Sequence, residues 1–153
     1  MKKTISIISL ILWMIIIFSF SSADANKSTG TSDKVITTMI EIKDKIIDQE
    51  TPISEKEIIV KNSSFYVRKI AHITEYLILG LLMFNALKQF NILNIYYAII
   101  LCILHSCTDE FHQLFINGRS GSFRDVLIDT IGILLGTYLY KILVIKNKKV
   151  NKI

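Results

Sequence analysis

The apolar residues of this chain are gathered into runs. Three or four of these runs approach the ~20 residues that a helix needs to cross a bilayer. That clustering constrains the fold more than any motif does. In lipid, every backbone N–H and C=O must find an internal partner, so a segment of this kind spans as a helix. The runs cover about 4–21, 66–87, 92–114 and 124–145. Of the 153 residues, 51% are hydrophobic and one is proline, a balance rare in a soluble domain. The expected fold class is all-α: one domain over 1–153, a polytopic transmembrane helical bundle of four spans.

The first run, Ile5 to Phe20, follows Lys2 and Lys3 and precedes Ala23-Asp24-Ala25. A basic start and an A-x-A-like site are signal-peptide features. The run is longer than the usual ~7–15-residue signal core and contains Trp13, so it is read as an uncleaved span with Trp13 packed in the bundle. The segment 22–64 is polar and is read as a short extracytoplasmic helical cap. Val35, Met39, Ile42 and Ile46 follow spacings of four, three and four, an amphipathic pattern. Thr51-Pro52 breaks it, and Ser54 with Glu57 three residues later reads as a capping box opening a second short helix.

Basic residues orient the chain. With four spans, Lys2, Lys3, Lys88 and the lysine tail at 146–153 fall on one side, which should be cytoplasmic. Both termini are then cytoplasmic in a multi-pass protein of the bacterial cell membrane. The net charge of +5 is concentrated in that tail, which reads as a membrane-surface flank rather than a nucleic-acid site. Cys102 and Cys107 form no Cys-x-x-Cys motif and read as packing residues. Tyr66, Tyr96 and Tyr97 read as interface anchors, and His105 as a partner for a neighbouring helix.

The polar residues inside these runs meet at the other, outer side. Arg68, His72 and Glu75 share one face of the second span. Near the end of the third span, Asp109 and His112 share one face, and Glu110 and Gln113 the adjacent one. Arg119 lies in the following loop, and Arg124, Asp125 and Asp129 open the last span. Asp129, Gly132 and Gly136 continue one spacing, and Gly-x-x-x-Gly is a close-packing motif, so these acids should point into the bundle. A charge at the centre of a span costs ~2.5 kcal/mol or more. One or two ion pairs would suffice to lock the helices, so so many charges at one depth read as a ligand site. These eleven residues are its candidate members. His72, Glu75, Asp109 and His112 are the weaker candidates for a metal site; no H-E-x-x-H motif or phosphate loop is present, and no cofactor is expected.

Three blocks, FSFSS, RKIAHITEY and DEFHQLFINGRSGSFRDVLIDTIG, resemble the VanZ-like family of bacterial membrane proteins. The correspondence rests on Glu110 and Gln113, on Gly118 and Arg119, on Asp125 and Val126, and on Asp129 and Gly132. Asn117 stands where the family commonly has proline, and Ala23 where it has glutamine after two serines. The resemblance implies a membrane protein whose founding relative is linked to low-level teicoplanin resistance, with no agreed reaction. The expected function is a polar pocket at the outer membrane face for an anionic membrane lipid or lipid-linked cell-wall precursor. Two alternatives stand beside it: a hydrolase or transferase using the His/Glu/Asp cluster, and a structural or regulatory partner, oligomeric or not, acting through the glycine face.

Overall fold

The computed structural model describes residues 2–150, with side chains as far as Leu143. The side chains of the lysine tail expected at 146–153 lie outside the described residues. Among the described residues the chain is all-helical: α1 Lys2–Ser21, α2 Ala25–Ile47, α3 Ile53–Gln89, α4 Ile95–Gln113 and α5 Phe123–Val150. Three of these are long and apolar enough to cross a membrane, namely α1, α3 and the stretch Phe123–Leu143 of α5. The third expected span, α4, is not among them. Its last third carries Asp109, Glu110, His112 and Gln113, which pull down its mean hydropathy.

The N-terminal half of α4 buries Ile95, Ala98 and Cys102, but its C-terminal half is inverted relative to a soluble helix. Ser106, Asp109, Glu110 and Gln113 are buried, whereas Ile100, Leu101, Leu104 and Phe111 are exposed. α1 likewise exposes Ile5, Ile8, Ile11, Leu12 and Ile15.

The segment expected to be a separate cap is organised differently. Asp24 caps α2, its carboxylate accepting from the Lys27 N–H at 2.7 Å. α2 then runs antiparallel to the first part of α3, tied by Asp33 to Ser64. At the far end of the pair, the Asp44 carboxylate accepts from the Thr51 N–H at 3.0 Å and the Thr51 hydroxyl at 2.6 Å, with Lys56 Nζ at 3.1 Å. Ser54 does not cap. The helix opens at Pro52, without a side-chain cap, and runs unbroken for 37 residues. At 1.5 Å per residue that is about 55 Å, against a hydrocarbon core of ~30 Å. The apolar stripe of α2 is also not the face that packs: Ile36 and Ile40 are buried with Ser32 and Asp44, while Val35, Met39, Ile42 and Ile46 stay exposed.

α3 is the hub and α5 its closest neighbour. A Cβ on Gly132 would lie 2.3 Å from the Ile73 carbonyl oxygen, and one on Gly136 2.0 Å from that of Leu77. Both glycines thus lie against the backbone of α3, with no room for a side chain. Gly80 answers them from α3, facing the Ile133 carbonyl oxygen. Trp13 packs in the bundle and donates from Nε1 to the Glu75 carbonyl at 2.9 Å. Toward the other end of these helices, Asn85 joins Ser6 at 3.1 Å to Tyr140 at 2.5 Å. Between the two ends lies an apolar core that includes Ile17, Tyr76, Leu79, Phe84, Ala98, Cys102 and Ile133.

Candidate functional site

The C-terminal end of α1, the middle of α3, the C-terminal end of α4 and the N-terminal end of α5 come together. The α4–α5 loop closes over them. Two glycines let it do so. Gly118 has φ of 72°, a left-handed conformation that costs other residues energy. Gly121 passes so close to α4 that a Cβ would lie 2.1 Å from the Glu110 carbonyl oxygen. Beyond Gly121, the Ser122 N–H donates to the Glu110 carboxylate at 2.8 Å. Glu110 thus fixes the start of α5 relative to the end of α4.

Gln113 links the remaining groups of α4. Its amide nitrogen lies 3.2 Å from both Asp109 and Glu110, and its carbonyl oxygen accepts from Arg119 at 3.2 Å. Arg119 also reaches the Phe20 carbonyl at 3.5 Å, in the last turn of α1, where a cation complements the helix dipole. A loop arginine therefore spans from α4 to α1.

α3 and α5 meet through two further contacts. Lys69 pairs with Asp125. Lys69 was not among the sequence candidates, although its separation of three from His72 puts it on a neighbouring part of the same face. Deeper, Asp129 is fully buried and accepts from the Ser106 hydroxyl at 2.6 Å. Its other oxygen lies 3.7 Å from His72 Nδ1, beyond hydrogen-bonding distance.

Arg124 and His112 do not line the cavities that open on this cluster. Arg124 is exposed, and its recorded bond is from its backbone N–H to the Ser122 hydroxyl. His112 turns toward α1, with Nε2 3.2 Å from the Ser22 hydroxyl and its ring 4.3 Å from that of Phe18. His112 therefore meets the end of α1 rather than either cavity. Among the described residues no three His, Cys, Asp or Glu side chains converge as metal ligands, so His72, Glu75, Asp109 and His112 do not form one set. His105 rests its ring 6.2 Å from that of Tyr76.

Two cavities open on this cluster. The larger, of about 460 Å³, lies between α1, α2 and α3. Its charged lining is Lys27, Arg68, Glu75 and Arg119, joined by His72 and the hydroxyls of Ser19, Ser28, Thr31 and Ser32. The smaller, of about 190 Å³, is lined by Lys69, Gln113, Ser120 and Asp125 among others. Arg68, His72 and Arg119 border both cavities. The Nε atoms of Arg68 and Arg119 are buried without a hydrogen-bond partner. Lys27, Ser28 and Thr31 escaped the sequence reading because they belong to α2. Nothing in their local pattern distinguishes them from an exposed turn of that helix.

No curated protein and no solved structure matches the chain. The VanZ/LLP1 family model does match, over residues 6–144, nearly the whole chain and all of the polar cluster. With its long apolar helices, the chain is a membrane protein that belongs to the VanZ/LLP1 family.

Proposed function

We propose that the protein binds an anionic group, carried by a membrane lipid or a lipid-linked envelope precursor, in the cavities bordered by Arg68 and Arg119. The observation that carries this reading is Arg68. Its guanidinium borders both cavities, and none of the described residues accepts a hydrogen bond from it. A guanidinium offers five donors in a planar fork suited to phosphate or carboxylate, and Arg119 stands beside it with Nε unused. Lys27, Arg68 and Arg119 outweigh Glu75 in the lining of the larger cavity.

In this reading α4 also spans, third in chain order, which makes four spans. Its apolar face meets lipid and its polar face meets the bundle. The cluster lies toward the outer face, α2 and the start of α3 project outside, and both termini are cytoplasmic. A ligand of the envelope at that position is the link to teicoplanin susceptibility.

The test is a binding titration of detergent-purified protein with dihexanoyl phosphatidic acid, followed by intrinsic tryptophan fluorescence. Trp13 donates to the backbone of Glu75 and so adjoins the site. Arg68→Ala should weaken binding at least tenfold, while Arg124→Ala, off the site, should not. Equal affinity for wild type and Arg68→Ala would overturn the proposal.

His72 favours a second reading. It borders both cavities, and the buried Asp129 lies 3.7 Å from its Nδ1, a separation that would have to shorten for the carboxylate to orient the imidazole as a general base. A hydrolase or transferase acting on the same lipid would use His72 in that way. Turnover of a phospholipid by wild type and its loss in His72→Gln, with binding retained, would establish this reading.

A further inference from the structure

Among the described residues, hydrogen bonds around the site leave Arg68 and Glu75, of opposite sign, without side-chain partners, and with them the Lys27 ammonium at the larger cavity's α2 wall. Asp109 is met by Gln113 and Asp129 by Ser106 through one oxygen each, their other oxygens being buried without a partner; Glu110 is met by Gln113 and the Ser122 N–H, and Asp125 by Lys69. Arg119 is met by Gln113 and the Phe20 carbonyl. Among the described residues, no side chain or backbone donor reaches the Glu75 carboxylate, and no acceptor reaches Arg68. Both line the larger cavity.

They do not neutralise each other. They stand seven residues apart on one face of α3, a separation of about 10.5 Å along the helix axis, with His72 between them. A half-buried carboxylate and a half-buried guanidinium, each without a partner, are costly to maintain in an apolar setting. One molecule lying along that face satisfies both if it carries an acceptor anion at one end and a cationic donor at the other. The hydroxyls that line the same cavity fit such a guest. Ser19, Thr31 and Ser32 already donate to carbonyls of their own helices, so what they offer the cavity is acceptor capacity. They would therefore receive further N–H or O–H groups.

We infer that the ligand is zwitterionic, a phosphate joined to a primary ammonium, with the phosphate on Arg68 and Arg119 and the ammonium on Glu75. This rests on the anion-binding reading above and adds a second, oppositely charged contact to it. The shared chemistry is that of a phosphoethanolamine group, on a lipid or free.

The experiment compares four ligands on the purified full chain: dihexanoyl phosphatidylethanolamine, its N-acetylated form, dihexanoyl phosphatidic acid and free O-phosphoethanolamine. Acetylation removes the ammonium and leaves the phosphate, so wild type should bind the acetylated lipid about tenfold more weakly. Glu75→Gln should lower affinity for phosphatidylethanolamine about tenfold. For phosphatidic acid it should leave affinity unchanged or raise it, because a nearby negative charge has gone. Glu75→Asp should retain the preference for the amine. If free O-phosphoethanolamine binds as tightly as the lipid, the zwitterion stands and its source is soluble. Binding of phosphatidic acid with no preference for the amine overturns this inference and leaves the anion site standing; binding of none of the four overturns both. The comparison of acetylated and unmodified lipid uses wild type alone, so it holds even if the Glu75 variants fail to fold.

Discussion

Adding one methyl group at Gly136 should loosen the whole bundle, because that position sets how closely α5 approaches α3. The new Cβ would lie 2.0 Å from the Leu77 carbonyl oxygen, and ordinary contact begins at 3.4 Å. The obstacle is helix backbone, which no rotamer change can move. α5 must therefore shift outward, and the loss is spread along the interface. A gap of even 0.5–1 Å forfeits roughly a quarter to a half of each van der Waals contact. Overpacking of this kind costs about 1–3 kcal/mol, and Gly136→Ala should fall toward the upper end. Gly132→Ala, with its Cβ 2.3 Å from the Ile73 carbonyl oxygen, should behave alike. The control is Gly30→Ala. That glycine lies within α2 with nothing inside 4 Å of an added Cβ, so alanine should stabilise the helix by ~0.5–1 kcal/mol. Thermal unfolding in detergent, followed by circular dichroism, separates the cases. At ~2–4 °C per kcal/mol for a chain of this size, Gly136→Ala should lower the midpoint by several degrees, while Gly30→Ala leaves it level or higher. Matching midpoints for the two would refute the claim that glycine contacts hold α3 against α5.

Three other outcomes follow from the polar contacts. Hydrogen bonds from Thr51 hold the Asp44 carboxyl at a pKa of about 2, below its ordinary 3.8, so the clasp between α2 and α3 should persist above pH ~4 and fail as pH falls through about 2. Thr51→Ala should move the Asp44 carboxyl titration, read by NMR, back up toward 3.8. Lys69→Met strands the Asp125 carboxylate and should cost about 1–3 kcal/mol, most of it recovered in Lys69→Met/Asp125→Leu; a chemical-denaturation series checks this. Gly121→Ala should push the α4–α5 loop off Glu110 and with it Arg119, raising loop cleavage in limited proteolysis more than Gly30→Ala does.

What the sequence made legible was whatever depends on spacing along one helix. Gly132 and Gly136 could be recognised as a packing face because both lie four residues along the same helix from a neighbour, and Asp129 could be placed inward by continuing that spacing. The shared face of Arg68, His72 and Glu75 was readable in the same way. Contacts between segments were not. Nothing local to Lys69 says that it meets Asp125 rather than water, and nothing local to Lys27 says that α2 folds back over α3 to border a cavity. The apolar stripe Val35, Met39, Ile42 and Ile46 misled for a related reason. A periodic apolar face marks what avoids water, and in a chain bound to a membrane that need not be the face that packs. Arg124 looked like its neighbours Arg119 and Asp125 in sequence, yet the first turn of α5 points it outward.

The same reasoning explains why α4 evades a hydropathy average and is nonetheless central to the site. Averaging assumes that a helix in lipid is apolar all round. Beyond the buried Ile95, Ala98 and Cys102, α4 instead buries the polar Ser106, Asp109, Glu110 and Gln113 while the large apolar Ile100, Leu101, Leu104 and Phe111 are exposed. A soluble helix with those two faces would be turned inside out, exposing what the hydrophobic effect drives inward and burying what needs solvation. In the proposed reading, with α4 as a span, lipid meets the apolar positions and the interior supplies the hydrogen bonds. Gln113, Ser122 and Arg119 supply several of them, and Lys69 does the same for Asp125 on α5. The polar groups that lower the mean hydropathy of α4 are thus the ones that build the site. Among the groups that remain unmatched there, Arg68 and Glu75 both line the larger cavity, and they are the part of the balance left for a ligand.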